Sequence, residues 1–291
     1  MIQTHHHSSS TNGLSSLTTL LTTPSSSLLI DPPFLLPDAQ ATLTWITTLT
    51  PHPPVAIFLT HHHPDHFFST NPILSAFPEA KFYAAPYVLA RINNEYDQKR
   101  TYWPTLLGED LVPTTPRKPD PYPFSFFCLD GEVVVLLGPV QGDSVEQTVF
   151  WIPGFWGRKR GMLAGVEELD SPALLEAWLM TLDMIERLQP VKIIPGHMEA
   201  RWELDAEADL AHTRRYLRLF GEKVIYVSEK MGVKELYEVF REAFPQCREN
   251  LDFFLGHMAN RFGEGGTAWE ENRHQEIAEK SLDELSGYWL G

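Results

Sequence analysis

The sequence predicts an α/β fold, and three observations carry that reading. Short apolar runs with the look of strands alternate with amphipathic stretches at helical spacing. A dense group of imidazoles with a carboxylate, Thr60-His61-His62-His63-Pro64-Asp65-His66, follows directly on one such run, residues 55–59. A later apolar run, 191–195, leads into Gly196-His197, so a second histidine site also sits at a strand end.

Taken in order, residues 1–15 are rich in Ser, Thr and His and are expected to be disordered. His5-His6-His7 lies there without a scaffold and is not read as a metal site. Strands are predicted at 17–22 and 26–30. Asp38 is placed as the N-cap of a helix with Leu43, Ile46 and Leu49 on one face. After the strand at 55–59, Pro64 stops the extended chain and puts Asp65 and His66 on the turn that leaves it. A helix near 72–77, a strand at 81–85 and a helix from 86 to about 99 follow. Residues 100–123 contain six prolines and read as a long loop over the site. Asp130-Gly131 suits a type I′ turn between strands 124–129 and 132–137. Ser171 caps and Pro172 opens a helix to Leu188, with Leu175, Trp178, Leu182 and Ile185 inward. Pro190 ends it, and a strand at 191–195 delivers His197. Helices near 203–222, 234–244 and 250–262 complete the chain; Leu236, Val239, Phe240 and Ala243 mark the buried stripe of the middle one.

Composition bounds the function. The chain has 291 residues, 43% hydrophobic and 12% aromatic, which suits a substantial core. A formal charge of −15 argues against a nucleic-acid footprint. Cys128 and Cys247 are the only cysteines, so no disulfide framework exists and a reducing compartment is expected. Nothing approaches a membrane span, and the N-terminus lacks the basic and apolar regions of a secretory signal. A cytoplasmic protein with a small-molecule substrate is the expectation, without membrane or nucleic-acid partners. No G-x-S-x-G elbow or phosphate-binding glycine loop occurs, which leaves serine hydrolase and nucleotide-dependent chemistry unsupported.

The histidine turn suits a divalent metal. In an extended segment residues two apart project to one side, so His61 and His63 can aim at a common point. With Asp65 and His66 they make a borderline-soft donor set of the kind zinc prefers.

These residues resemble the H-x-H-x-D-H signature of the metallo-β-lactamase-fold hydrolases, with His61, His63, Asp65 and His66 filling all four positions. Leu28-Leu29-Ile30-Asp31 is similar to that family's upstream strand ending in Asp, and Ile193-Ile194-Pro195-Gly196-His197 to its late strand ending in Gly-His. Gln141-Gly142-Asp143-Ser144, followed by 148–153, resembles the region carrying its third histidine. The resemblance implies a four-layer αββα sandwich with C-terminal helices, covering roughly residues 16–255. The implied organisation is a disordered terminus (1–15), a metallo-β-lactamase-like domain (16–200) and a helical region packed on it (201–291).

By the resemblance, His61 and His63 with the third histidine form one metal site, and Asp65, His66 and His197 the other. Two departures matter. The third histidine is replaced by Gln141 or Asp143 according to gap placement; Asp143 is favoured because a carboxylate is the better zinc ligand. The bridging aspartate has no counterpart: either Val166 replaces it, or its strand is missing and Met162 begins the material beyond. One zinc ion is therefore expected rather than two. Glu167, Glu168 and Asp170 are read as acidic residues opening the helix at Ser171, Arg158-Lys159-Arg160 as a solvated loop, and His257 as packed or surface. Phe155 and Trp156, after a Pro-Gly turn, are candidate substrate contacts.

The expected function is hydrolysis of a small ester, lactone, amide or thioester, in which zinc lowers the pKa of a bound water to give hydroxide and polarises the carbonyl. Asp65 is the candidate catalytic residue, holding the metal or orienting that water. The alternatives are a degenerate binding protein and a non-hydrolytic enzyme, either a lyase or cyclase of specialised metabolism or an iron-dependent oxygenase of the same fold.

Overall fold

Strands with apolar residues at successive positions need cover on both faces, and the chain supplies them early. The computed structural model describes residues 1–153, 169, 171–198, 203–228, 231–245 and 247. In the main sheet, β1 (Gln3–Ser8) pairs antiparallel with β2 (Leu17–Thr22), and β2 antiparallel with β3 (Ser27–Ile30). From there the sheet is parallel through β4 (Pro54–Phe58), β5 (Lys81–Ala84) and β6 (Asp120–Pro121). A second, antiparallel sheet holds β7 (Phe126–Leu129), β8 (Glu132–Val140) and β9 (Gln147–Trp151).

Alternation along each strand decides which layer a residue joins. Leu21, Leu28, Ile30 and Phe58 face the second sheet and pack on Leu129, Val134 and Leu136. Their neighbours Leu20, Leu29 and Ile57 face the other way, where α1 (Leu36–Leu49), α2 (Thr70–Ala76) and α3 (Pro86–Leu107) cover them. Phe58 is fully buried, with edge contacts to Tyr122, Phe127 and Phe150 at centroid distances of 5.0, 5.4 and 5.7 Å. Beyond the second sheet, α4 (Pro172–Arg187) lies against β8 and shares a separate apolar cluster with α5 (Ala206–Phe220) and α6 (Val233–Ala243). The result is the α/β sandwich that the sequence predicts. Among the described residues, no helix is long and apolar enough to cross a membrane.

Several local expectations hold. Ser171 caps α4, its Oγ accepting from Leu174 N at 3.4 Å. Asp130 and Gly131 both take positive φ, 51° and 80°, as a type I′ turn requires.

Others are corrected. Residues 1–15 are not disordered: β1 pairs with β2 from Gln3↔Thr22 to Ser8↔Leu17. Its polar side chains find partners, as where His5 Nε2 meets Thr22 Oγ1 at 3.0 Å and His7 stacks on Trp45 at 5.2 Å. Asp38 does not cap α1; it lies in the first turn and accepts from Ser10 N and Oγ at 3.0 and 2.9 Å. Leu49 is exposed, while Ala39, Thr42 and Ile46 are the buried positions beside it. The third helix does not stop near Lys99 but runs to Leu107 through Pro104, because Tyr102 and Trp103 are buried in the last turns. That burial outweighs a proline penalty of about 3 kcal/mol. The rest of the proline-rich segment is fastened to α2 and α3, through Asn71 Nδ2 donating to Thr115 O at 2.9 Å and Tyr96 OH donating to Pro116 O at 2.5 Å. No strand forms at 191–195, since Pro190 and Pro195 lack the N–H a ladder needs. The expected helix at 250–262 lies outside the described residues.

Candidate metal centre

The parallel strands β3 and β4 end at the same edge of the main sheet, the edge where ligands gather in open α/β sheets. Asp31, just past β3, has φ of 54° and turns its carboxylate across to the chain leaving β4. Its Oδ1 accepts from Thr60 N and its Oδ2 from Thr60 Oγ1, both at 2.7 Å. Since the one hydroxyl hydrogen of Thr60 goes to Asp31, Thr60 Oγ1 accepts from His61 Nδ1 at 2.8 Å. His61 Nε2 is thereby left as a lone pair pointing inward. Pro64 opens a single 3₁₀ turn, Pro64–His66, which swings Asp65 and His66 back toward the same point.

His197 arrives from a distant part of the chain. Leu17 N donates to Gly196 O at 2.7 Å, Met198 N to Ser15 O at 3.0 Å, and His197 Nδ1 to Leu14 O at 2.9 Å. Leu14 and Ser15 both adopt left-handed φ, 62° and 52°, to present these carbonyls. The bond to Leu14 fixes the His197 tautomer with Nε2 inward, and the bond from His66 Nδ1 to Asp31 Oδ2 at 3.2 Å fixes the His66 ring with Nε2 inward.

Two sets of donor atoms result, each within 4.8 Å of one another: His61, His63 and Asp143, and Asp65, His66 and His197. In the first, Asp143 Oδ2 lies 3.5 Å from His61 Nε2 and 3.8 Å from His63 Nδ1. In the second, Asp65 Oδ2 is 3.2 Å from both His66 Nε2 and His197 Nε2. The sets adjoin, with the His61 and His66 rings 4.3 Å apart. All six residues are buried.

Burial and neighbouring imidazoles push His61 well below the usual histidine range, keeping it a neutral donor. Burial opposes charge on Asp65 too, but His66 and His197 overcome it and hold the carboxyl well below the usual carboxylate range. Burial also opposes charge on His66, yet Asp65 and Asp31 hold it well above its ordinary value. His197 is lowered by burial, with Asp65 pulling the other way. The donor chemistry fits a divalent ion: His61 Nε2 is buried without a hydrogen-bond partner, and three donors per set match the count of a catalytic site.

Gln141 turns away, its Nε2 donating to Gly142 O at 2.8 Å. His62 also points elsewhere, its Nε2 3.5 Å from Glu95 Oε1 on α3. The histidines of β1 belong to neither donor set. Phe155, Trp156, Met162, Val166, the triplet 158–160, Glu167, Glu168, Asp170 and His257 lie outside the described residues. Sequence reasoning overlooked Asp31, Thr60 and Leu14 as supports of the donors. The apolar run ending in Asp31 was a signal for the first, whereas nothing local marks the carbonyl of Leu14.

Residues 11–155 match the metallo-beta-lactamase superfamily. The chain is a divergent member of that superfamily. Solved metallo-beta-lactamases share its fold. One from Pontibacter korlensis is 16% identical, with a TM-score of 0.53, covering 75% of this chain and 94% of that one. DIM-1 metallo-beta-lactamase exposed to ceftazidime is 19% identical, with a TM-score of 0.50, covering 75% and 93%. VMB-1 at pH 5.5 is 16% identical, with a TM-score of 0.50 and the same coverage. No curated protein sequence matches the chain. The stretch matching the metallo-beta-lactamase superfamily includes five of the six donors and stops before His197, which the geometry brings to them.

Proposed function

We propose that this metallo-beta-lactamase-superfamily protein is a metal-dependent hydrolase of a small ester, lactone, amide or thioester. The observation that supports it most is the pair of adjoining, buried three-donor sets. Zinc suits two imidazoles and a carboxylate. Each set has enough donors for one ion without a bridge, so we propose two ions rather than the single one expected from the sequence. When bound, the metal supplies Lewis acidity that lowers the pKa of a water and polarises a carbonyl. Asp65, held ionised, is a poor proton acceptor, which suits a role in orienting the attacking water rather than deprotonating it. Thr60, Asp31 and Leu14 fix the ring orientations of His61, His66 and His197, so the donors need little rearrangement beyond the loss of the inward proton of His66. The charge of −15 and the thiols of Cys128 and Cys247, which form no disulfide, support a small-molecule substrate in a cytoplasmic setting.

The test pairs metal content by mass spectrometry with turnover of an ester, lactone, amide and thioester panel, before and after chelation. Two zinc ions and chelator-sensitive hydrolysis support the reading. Turnover that survives chelation overturns it, and metal-loaded protein that turns over nothing makes the chain a binding member of the superfamily.

A further inference from the structure

The feature most particular to this chain is an aspartate where the superfamily pattern has a histidine. A histidine presents one nitrogen in a fixed direction, whereas a carboxylate has two equivalent oxygens and a broad side-chain torsion. Something must therefore decide which oxygen of Asp143 faces His61 and His63. Gln147, at the start of β9, donates from Nε2 to Asp143 Oδ1 at 3.0 Å. Oδ2 is the oxygen left toward His61 Nε2 and His63 Nδ1. The amide reaches Asp143 by crossing Gly142: a Cβ built there would lie 1.5 Å from Gln147 Oε1 and 2.7 Å from Cδ. The turn itself is closed without that side chain, by Gly142 N donating to Ser144 O at 3.0 Å.

We infer that Gln147 is a positioning residue for Asp143 as the third donor of the first set, and that Gly142 is the gap this clamp requires. The inference rests on the metal-binding reading. The clamp removes one of the two oxygens from competition and holds the carboxylate in a single orientation before an ion arrives. A partner that orients a ligand typically contributes 10–100-fold to metal affinity. The glycine is needed for space, so its replacement displaces the far end of a flexible side chain rather than the backbone.

The experiment is a zinc titration of the full-length protein against a chromophoric chelator, which resolves the two binding events. Asp143→Ala and His197→Ala identify which event belongs to which set. Gln147→Leu is expected to weaken the Asp143-dependent event by about 10–100-fold and to leave the His197-dependent one unchanged. Gly142→Ala should do the same, with no added loss in the Gln147→Leu background. In the Asp143→Ala background, Gln147→Leu should have no further effect on zinc binding. Unchanged affinity in Gln147→Leu overturns the inference, as does an equal loss of both events or a loss that persists without Asp143, since those mark a merely structural role. A wild-type protein that binds no zinc refutes the metal-binding reading beneath it, an outcome distinct from those.

Discussion

Replacing Asp31 with Asn tests whether the support behind the histidine turn sets metal affinity. Asp31 accepts three hydrogen bonds, from Thr60 N, Thr60 Oγ1 and His66 Nδ1. An asparagine keeps the shape and tolerates the left-handed φ of 54°. Its carbonyl can still accept from Thr60 N, but its amide faces Thr60 Oγ1 and His66 Nδ1 with hydrogens in place of lone pairs. The Thr60 hydroxyl can rotate, whereas His66 loses the acceptor that orients its ring. The affinity of the Asp65, His66 and His197 set should fall about 10–100-fold. The fold should lose about 1–3 kcal/mol for the one buried donor left unsatisfied. Asp31→Ala should destabilise more, because Thr60 N is then orphaned too and alanine sits at positive φ. Zinc competition and urea unfolding of the metal-free proteins read the two effects separately. If Asp31→Asn binds zinc as wild type does, the proposed support for His66 is refuted.

Three further outcomes are expected. Glu95 is held at about 2 despite its burial, by His62 and Lys99; a depressed carboxyl stabilises above its unfolded pKa and loses that stability as pH falls through the folded one. Between about pH 5 and 2, metal-free wild type should therefore lose about 3 kcal/mol more than Glu95→Gln, and parallel urea-unfolding curves across that window would contradict this. Phe58→Ala should destabilise by about 3–5 kcal/mol, because Phe58 is fully buried among four aromatic rings; a loss below 1 kcal/mol in chemical denaturation would be inconsistent with the inter-sheet core. Gly196→Ala should weaken zinc binding with little change in metal-free stability, since its Cβ would sit 3.1 Å from His66 Cε1; unchanged affinity would show that this contact has room to relax.

What the sequence made legible was whatever acts over a few residues. His61, His63, Asp65 and His66 share one turn, so strand periodicity and Pro64 suffice to group them. The family resemblance points to residues 141–144 for a third donor, and ligand chemistry favours Asp143 over Gln141 there. The N-terminal strand was hidden because Ser, Thr and His carry no apolar alternation, and only pairing with β2 gives Gln3–Ser8 its structure. The extension of α3 past Pro104 depends on Trp103 meeting Phe34, a contact at 5.1 Å that no local pattern announces. The delivery of His197 rests on backbone groups of residues 14–17, and a carbonyl has no signature in the one-letter code.

The two donor sets have the same composition, two imidazoles and one carboxylate. Donor softness therefore gives neither set a preference for one divalent ion over another. What differs is how directly a carboxylate stands behind each: Asp31 bonds to His66 itself but reaches His61 only through the Thr60 hydroxyl, and a neutral amide, Gln147, stands behind Asp143. Once its inward proton is lost, the extra electron density transmitted through His66 makes its set the better donor. Filling should consequently be sequential, and protein supplied with half its complement of zinc should carry the ion at Asp65, His66 and His197 first.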